Sequence, residues 1–486
     1  MRISIIKTSL ATFAIVILLA LYACTKDSAS PTFGDYPPEI GKILTYKCAT
    51  SGCHNTASYK GAADLDLSSL ATLFNGSING SPVIPFRSDF SSLCYFVNTY
   101  TDLGPINGPT MPLNGNALSR EEVQTLKNWI DNGAPDVNGN IKWSDNPNRK
   151  KYYVLNQGCD VVTVFDAATQ LPIRYINVGE NSGTIESPHM IRVSPDGQYW
   201  YVIFTKNTIL QKYRASDDSF VGQVSLGAYQ DWNTIVISAN SKRAYCVSWQ
   251  LSSRLAIVDI EHMTLLHNYG GGTFQDAHGI ALNKTNDTIY ITKQQGNYIY
   301  KADTALNTGF MEVRLDGSPS SIGTSSLDPH EIIFSPDGTK YFVSCQKSNE
   351  VRVMSAAGDV LLQTISTGQY PLELAISASR NKLYVTCEYE PSINPNSKGC
   401  VNVIDMATYQ STKHLVGYEP HGVIIDETNG LLVVASRNTG STGPTPHHTG
   451  VCGRNGFVNY FNINTMQLLS KKTEVASDPY SVAIRP

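Results

Sequence analysis

A sevenfold repeat dominates this chain of 486 residues. In each copy a short apolar run ends in a turn such as Ser335-Pro-Asp-Gly338, and a second apolar run follows. The copies begin at Pro188, Trp232, Ala277, Pro329, Pro371, Pro420 and Pro479. The steps between them are 44, 45, 52, 42, 49 and 59 residues. A period of this length is that of one four-stranded blade of a β-propeller.

The two ends of the repeat region predict the number of blades. Pro479 to Arg485 has the pattern of an innermost strand with no hairpin after it, whereas Lys151 begins with the pattern of a second strand. If these ends share one blade, the ring closes and leaves no open strand edges between blades. We therefore predict a mainly β protein, with a seven-bladed β-propeller over residues 151–486.

Several repeats also share a short sequence motif. Tyr152-Tyr-Val-Leu-Asn, Tyr341-Phe-Val-Ser and Leu383-Tyr-Val-Thr each precede a second apolar strand. This motif resembles the YVTN-type repeat and, more loosely, the haem-d propeller of cytochrome-cd nitrite reductases. The resemblance covers residues 151–486 and implies the same propeller fold.

The first residues predict export. Basic residues precede the apolar stretch Leu10 to Ala23, which is shorter than the roughly 20 residues that a membrane span needs and is typical of a signal peptide over residues 1–23. Leu21-Tyr-Ala-Cys24 resembles the lipobox of bacterial lipoproteins, which implies that Cys24 carries lipid and that residues 24–36 form a tether. An uncleaved anchor is the alternative. Either way we expect a protein anchored to a bacterial membrane, on its periplasmic face or at the cell surface.

A haem-attachment motif lies in the next region, residues 37–136. Cys48-Ala-Thr-Ser-Gly-Cys53-His54 has two cysteines followed directly by histidine, the arrangement in which two thiols add to the haem vinyl groups and the histidine binds the iron. Four residues separate the cysteines, where two are usual. A zinc site or a simple disulfide is therefore an alternative interpretation.

A methionine loop and a helix follow the motif. Met111 precedes Pro112, and the segment from Ser119 to Gly133 has a Ser/Glu capping box and one apolar stripe. This ending resembles small mono-haem cytochromes c, most closely those in lipoproteins of bacterial envelopes. The resemblance implies a small all-α cytochrome c domain over residues 37–136, haem c, Met111 as sixth iron ligand and a helix over the haem edge. Residues 137–150 read as a linker.

Histidines recur at the start of the blades. Strand order places the first position of every innermost strand at one mouth of the central channel, together with the long loops between second and third strands. The histidines at this mouth are His189, His278, His330, His421, His447 and His448. Asp276, Asp328 and Glu419, each two residues before a histidine, are placed to orient imidazoles.

Two interpretations of these histidines stay open. Several neutral imidazoles without cysteine suit copper or zinc, or a second cofactor. Alternatively, the histidines are strand-start residues that hydrogen-bond the neighbouring blade. The linker limits how closely the haem can approach these histidines. Lys151 lies on the face opposite the histidine mouth, and residues 137–150 span at most about 45 Å. We expect direct transfer between haem and channel to be inefficient.

Charge and cysteine content narrow the choice of functions. Charged residues make up 16% of the chain and the net charge is −4, so no nucleic-acid partner is expected. Cys387 and Cys400 flank a loop and are one possible disulfide. The first hypothesis is an electron-transfer lipoprotein with a redox partner protein in the envelope and a possible small-molecule ligand at the channel. The alternatives are an oxidoreductase with a metal in the channel and a non-catalytic binding protein.

Overall fold

Seven four-stranded antiparallel sheets form the body of the protein. The computed structural model describes residues 33–228, 231–270, 274–307, 309–319, 326–393, 396, 398–445 and 452–486. Blade 1 combines, from the channel outward, β28 (Pro479–Ile484), β1 (Lys151–Asn156), β2 (Val161–Asp166) and β3 (Leu171–Asn177). The last strand thus pairs with the first, and the predicted seven-bladed propeller with its closing blade is confirmed.

The other six blades follow chain order from the channel outward. Blade 2 has β4 (Pro188–Val193), β5 (Tyr199–Phe204), β6 (Ile209–Arg214) and β7 (Phe220–Ser225), and blade 3 has β8 (Trp232–Ile237), β9 (Arg243–Ser248), β10 (Arg254–Asp259) and β11 (Thr264–Gly270). Blade 4 has β12 (Ala277–Leu282), β13 (Thr288–Lys293), β14 (Tyr298–Asp303) and β15 (Met311–Arg314), and blade 5 has β16 (Pro329–Phe334), β17 (Lys340–Cys345), β18 (Glu350–Ser355) and β19 (Leu361–Ser366). Blade 6 has β20 (Gln369–Ser377), β21 (Lys382–Tyr389), β22 (Lys398–Asp405) and β23 (Ser411–Tyr418), and blade 7 has β24 (Pro420–Asp426), β25 (Leu431–Ser436), β26 (Asn455–Asn462) and β27 (Gln467–Ser477).

The hydrophobic core of the propeller lies between neighbouring blades. Second strands such as β1 and β25 are buried along their whole length, which explains why they read as continuous apolar runs rather than as alternating ones. Tyr201 and Ile203 of blade 2, for example, share one cluster with Ile235 and Cys246 of blade 3. Each blade therefore buries both faces of its middle strands.

A left-handed residue opens every innermost strand. The residue two places before each channel position has φ between 46° and 61°, in every blade a residue other than glycine. These residues are Ser187, Asp231, Asp276, Asp328, Tyr370, Glu419 and Asp478. This backbone conformation is uncommon for such residues. Its recurrence in all seven blades therefore indicates a specific turn, which places the side chain two residues later in the channel.

Short helices and loops make up the part before the propeller. The helices are α1 (Pro38–Ile43), which continues as a π-helical turn (Leu44–Cys48), α2 (Leu70–Leu73), α3 (Ser92–Val97) and α4 (Arg120–Asp131), with 3₁₀ turns at Tyr59–Gly61, Ser88–Phe90 and Thr101–Leu103. The predicted capping box between Ser119 and Glu122 is present, and Gly133 lies just beyond the helix with φ 98°. None of the helices in the described ranges has the length and apolar content to cross a bilayer.

This N-terminal part packs against the outer strand of blade 1. Ser81 Oγ donates to the Pro172 carbonyl at 2.7 Å, and Arg87 Nη1 donates to the Tyr175 carbonyl at 2.9 Å. The ring of Phe90 stacks on Tyr175 with centroids 4.1 Å apart. The contact covers β3, which would otherwise be an exposed sheet edge.

One disulfide joins the two blades at the ring closure. Cys159, between β1 and β2, bonds Cys452, which precedes β26, although 293 residues separate them. Cys387 and Cys400 lie directly opposite each other on β21 and β22, yet both are free thiols. The sequence analysis named Cys387–Cys400 as one possible disulfide, so the pairing in the structure differs from that expectation.

Candidate cofactor and metal sites

A cavity of about 410 Å³ lies in the N-terminal part and brings the predicted haem-binding residues together. Cys48, Cys53, His54 and Met111 all line it. The rest of the lining is largely apolar and includes Leu65, Leu67, Pro82, Leu93, Phe96, Val97, Pro112 and Leu113. The volume falls in the range of cofactor pockets, about 300–1,000 Å³.

A hydrogen bond holds the His54 ring in one tautomer. His54 Nδ1 lies 3.1 Å from the carbonyl oxygen of Leu65. Because a carbonyl only accepts, Nδ1 must carry the proton, which leaves the lone pair of Nε2 free to bind a metal. The His54 amide also donates to the Cys48 carbonyl at 3.1 Å, so the motif folds back on itself and presents both groups to one cavity.

The two cysteines of this segment are unpaired in the structure. Cys48 and Cys53 are free thiols rather than a disulfide, the first buried and the second exposed. Burial raises the pKa of Cys48 to about 12. Within the described residues, Cys48, Cys53 and His54 are not among the side chains that already lie close enough to share one metal ion.

Helix α4 is linked by an ion pair to the segment that contains Cys48. Lys47 Nζ donates to Glu122 Oε2 at 2.7 Å and thereby links the residue before Cys48 to the first turn of α4. The apolar stripe of α4 is buried against α1 and its surroundings, including Tyr36, whose ring lies 6.2 Å from that of Trp129. No residue of α4 is among the described residues that line the cavity, which differs from the expected helix over a haem edge.

Five aromatic side chains from five blades converge in the central channel. The ring centroids of His278 and His330 are 4.0 Å apart, and Tyr480 lies 3.7 Å from His421 and 4.2 Å from His189. His189–His278 and His330–His421, which have an intervening blade, are 6.4 Å and 6.0 Å apart. The four predicted histidines therefore face one another, and Tyr480 completes their circle.

The four imidazoles are buried and electrically neutral. Burial lowers the pKa of His278 to about 4 and the pKa values of His189, His330 and His421 well below the usual value. Nδ1 of all four rings is buried without a hydrogen-bond partner. The main chain of the following blade bonds the rings of His278 and His421, so these two histidines do brace their neighbours in part.

The expected role of the acidic residues before the histidines is wrong. Asp276 forms a buried ion pair with Lys293, and Asp328 accepts a hydrogen bond from the Gln295 amide at 2.7 Å. Glu419 accepts from the amide of Gly440 at 3.0 Å. Their left-handed backbone turns these side chains toward the loops of the blade rather than toward the imidazoles.

Two carboxyl groups and an arginine complete the channel, and sequence reasoning missed all three. Glu331 and Glu373 follow the channel positions of blades 5 and 6, and each has one buried oxygen without a hydrogen-bond partner. Burial, reinforced by the charge of Glu373, raises the pKa of Glu331 well above its usual value, and burial also raises that of Glu373. Arg192 opposes both shifts. The signal available in the sequence was a glutamate directly after Pro329-His330.

Three predicted site residues cannot be placed. His447 and His448 lie outside the described residues, as does Cys24. The channel site is therefore built from His189, His278, His330 and His421 alone among the predicted histidines.

Comparisons with known proteins bear on the fold. No family model and no curated relative matches the chain. The periplasmic gluconolactonase of Pseudomonas aeruginosa is 14% identical, with 69% of this chain and 99% of that one covered at a TM-score of 0.53. A putative 6-phosphogluconolactonase from Bacteroides uniformis is 13% identical, with 69% and 99% covered at 0.50. Hydrazine synthase of Kuenenia stuttgartiensis is 17% identical, with 63% and 94% covered at 0.48. At these identities the likeness is one of propeller fold alone.

Proposed function

We propose that this protein is a haem c-containing electron-transfer lipoprotein of the bacterial envelope. The N-terminal part holds the haem, and the propeller binds a ligand or partner or acts as a second redox module. One observation carries the proposal: two free thiols, an imidazole with Nε2 available and a thioether line a single apolar cavity.

Each residue of the cavity has a defined task in this proposal. Cys48 and Cys53 would attach the haem covalently, and His54 and Met111 would bind its iron. The bound haem supplies a one-electron iron couple, which His/Met ligation suits to electron transfer. The Leu65 carbonyl keeps His54 in the tautomer that ligation needs, and the apolar walls keep water from the metal.

Covalent attachment is the property to test first. The full chain is produced in a host that attaches haem to exported cytochromes, then denatured and extracted with acidified solvent. We expect the haem to stay with the polypeptide and to give a c-type haemochrome spectrum. Cys48→Ser with Cys53→Ser is expected to lose it, whereas Cys94→Ser, which removes another buried free thiol, is expected to keep it. Complete extraction of the haem from the wild-type polypeptide would contradict the proposal.

The lipid anchor has a separate test. Cys24→Ser is expected to release the protein into the soluble envelope fraction or to leave it unprocessed, without change in haem content. A variant that still sediments with membranes at the processed size contradicts the anchor.

A second candidate function is an oxidoreductase with a metal or second cofactor in the propeller channel. The convergence of four neutral histidines favours it, because burial of imidazoles with unpartnered nitrogens is costly unless a ligand satisfies them. In this function the channel, rather than the N-terminal part, performs the reaction.

A further inference from the structure

Hydrogen bonds to the main chain link neighbouring blades in addition to the bonds that the rings of His278 and His421 make. Thr292 Oγ1 donates to the carbonyl of His330 at 2.8 Å, and Thr386 Oγ1 donates to the carbonyl of His421 at 2.6 Å. Ser344 Oγ makes the same bond to Leu372 at 2.8 Å, although Leu372 has no polar side chain. These bonds link the second strand of one blade to the first strand of the next whatever residue lies at the channel position. Bracing by the rings of His278 and His421 therefore does not account for the unpartnered Nδ1 atoms of the four histidines.

One residue of the circle other than histidine braces its neighbour with one polar atom of its side chain and leaves the other, Oδ1, without a partner. Asn233 occupies the channel position of blade 3, and its Nδ2 donates to the Ala277 carbonyl of the next blade at 3.3 Å. His189, by contrast, has both ring nitrogens buried without a partner. A buried polar atom without a partner costs about 1–3 kcal/mol, so several in one channel indicate a site for something that binds them.

Glu331 supplies a third ligand atom next to two of the rings. One nitrogen each of His278 and His330 and one oxygen of Glu331 lie within 4.8 Å of one another. His278 Nδ1 and Glu331 Oε1 are 3.8 Å apart, too far for a hydrogen bond but within the spacing of two ligands on one ion. Because ligand atoms about 2.1 Å from a shared ion lie at most about 4.2 Å apart, small side-chain rotations close the set.

A glycine allows the two blades to approach closely enough. A Cβ on Gly279 would lie 2.5 Å from the His330 carbonyl oxygen and 2.8 Å from the Glu331 Cα. Only glycine therefore lets β12 and β16 bring His278 beside Glu331. The close approach of these two strands creates the three-ligand set.

The charges around the set suit a dication. Glu331, Glu373 and Asp478 are acidic, whereas Arg192 and Arg437 are basic, and Arg437 is already paired with Asp478 at 2.6 Å. Ionised carboxylates would leave one excess negative charge in this group. A bound dication would stabilise the ionised form of Glu331, which ligation requires.

We propose that His278, His330 and Glu331 bind one divalent transition-metal ion of the zinc or iron(II) class. Two imidazoles and one carboxylate form a ligand set known for both ions, and it leaves coordination positions open for a substrate or water. The carboxylate makes the set less suited to copper(I), which prefers thiolate and thioether ligands. The rings of His189 and His421 lie 6.4 Å from His278 and 6.0 Å from His330, respectively. This inference extends the second candidate function and does not depend on haem.

Metal loading of the full-length protein tests the site. The protein is stripped with a chelator, dialysed against zinc or cobalt(II), and analysed for metal alongside haem iron, which is counted separately as haemochrome. We expect about one zinc or cobalt per chain and visible cobalt absorption bands from bound imidazole. Glu331→Gln and His278→Ala are expected to weaken binding by at least about 100-fold, since even supporting residues of metal sites cost 10–100-fold.

Matched variants separate ligation from folding. His262→Ala removes an exposed histidine, and Glu261→Gln removes an exposed carboxyl; both are expected to keep one ion per chain. Far-UV circular dichroism checks that Glu331→Gln, a nearly isosteric change, remains folded. No zinc or cobalt in the wild type, or unchanged binding in folded Glu331→Gln, overturns the assignment. Either result leaves the haem proposal standing, because haem content is measured independently.

Discussion

At the scale of single residues, local sequence motifs predicted the residues that line the N-terminal cavity better than those that line the channel. Cys48, Cys53 and His54 are neighbours in sequence, so their approach to one cavity needs only a short loop. Met111 reaches the same cavity from a loop 57 residues further on, as its position before Pro112 suggested. Glu331 was missed because its closeness to His278 depends on the contact between two blades, which no local pattern reports.

Met111 gives the residue-scale prediction. Met111→Ala is expected to keep covalent haem but to lower its reduction potential, because the thioether ligand raises the potential. A spectroelectrochemical titration measures the change. Met311→Ala, which alters an exposed methionine of β15, is the control and should leave the potential unchanged. An equal reduction potential in Met111→Ala and wild type would show that Met111 does not bind the iron.

At the scale of elements, the strands followed their pattern but the side chains at their ends did not. Six of the seven innermost strands begin at the predicted dipeptide, and β20 begins two residues earlier, at Gln369. The acidic residues before them serve the blade loops instead of the imidazoles, because the left-handed turn at Asp276, Asp328 and Glu419 rotates their side chains away. Helix α4 likewise has the predicted cap and apolar stripe, yet that stripe packs on α1 rather than on the cavity.

The end of β24 gives the element-scale prediction. Asp426 is buried and accepts hydrogen bonds from the Tyr152 hydroxyl of β1 and from Asn429 Nδ2 at 2.6 Å, with Lys150 Nζ 3.2 Å away. Burial opposes ionisation, but these partners outweigh it, so the pKa of Asp426 lies below its usual value. Asp426→Asn is expected to lower the free energy of unfolding by about 1.5–3 kcal/mol at pH 7.

The pH dependence of this effect has a definite sign. A carboxylate with a lowered folded-state pKa stabilises the fold above its unfolded pKa of about 3.9, and this contribution is lost as the pH falls through the folded value. The difference between Asp426→Asn and wild type should therefore shrink below about pH 4 in denaturant titrations. Glu121→Gln, at an exposed carboxylate of α4, serves as control. A difference that is constant from pH 7 to pH 3 would contradict the assignment.

At the scale of the whole molecule, ring closure joins residues from the two ends of the propeller. β28 pairs with β1, and Cys159–Cys452 adds a covalent link between blades 7 and 1. The N-terminal part covers the outer strand of the closing blade and thus lies at the side of the ring. This placement fits the expectation that the linker does not bring the N-terminal part over the channel mouth.

The disulfide gives the molecular-scale prediction. Reduction of the wild type is expected to lower its free energy of unfolding by about 2–4 kcal/mol, because the bond closes a long loop of the unfolded chain. The Cys159→Ser, Cys452→Ser double variant should have this lower stability already and should not respond to reductant. Chemical denaturation with and without reductant measures both. An equal response of the two proteins would show that the reductant acts elsewhere.

The sequence by itself determined what depends on local pattern. The repeat period and the mismatched ends specify seven blades closed by the last strand, the segment from Cys48 to His54 specifies three side chains that meet at the N-terminal cavity, and the capping box specifies where α4 begins. Tertiary structure alone decided the Cys159–Cys452 pair, the place of the N-terminal part on β3, and the meeting of His278 with Glu331. These depend on how blades twist and pack against one another, and that geometry joins residues whose separation in sequence carries no signal of contact.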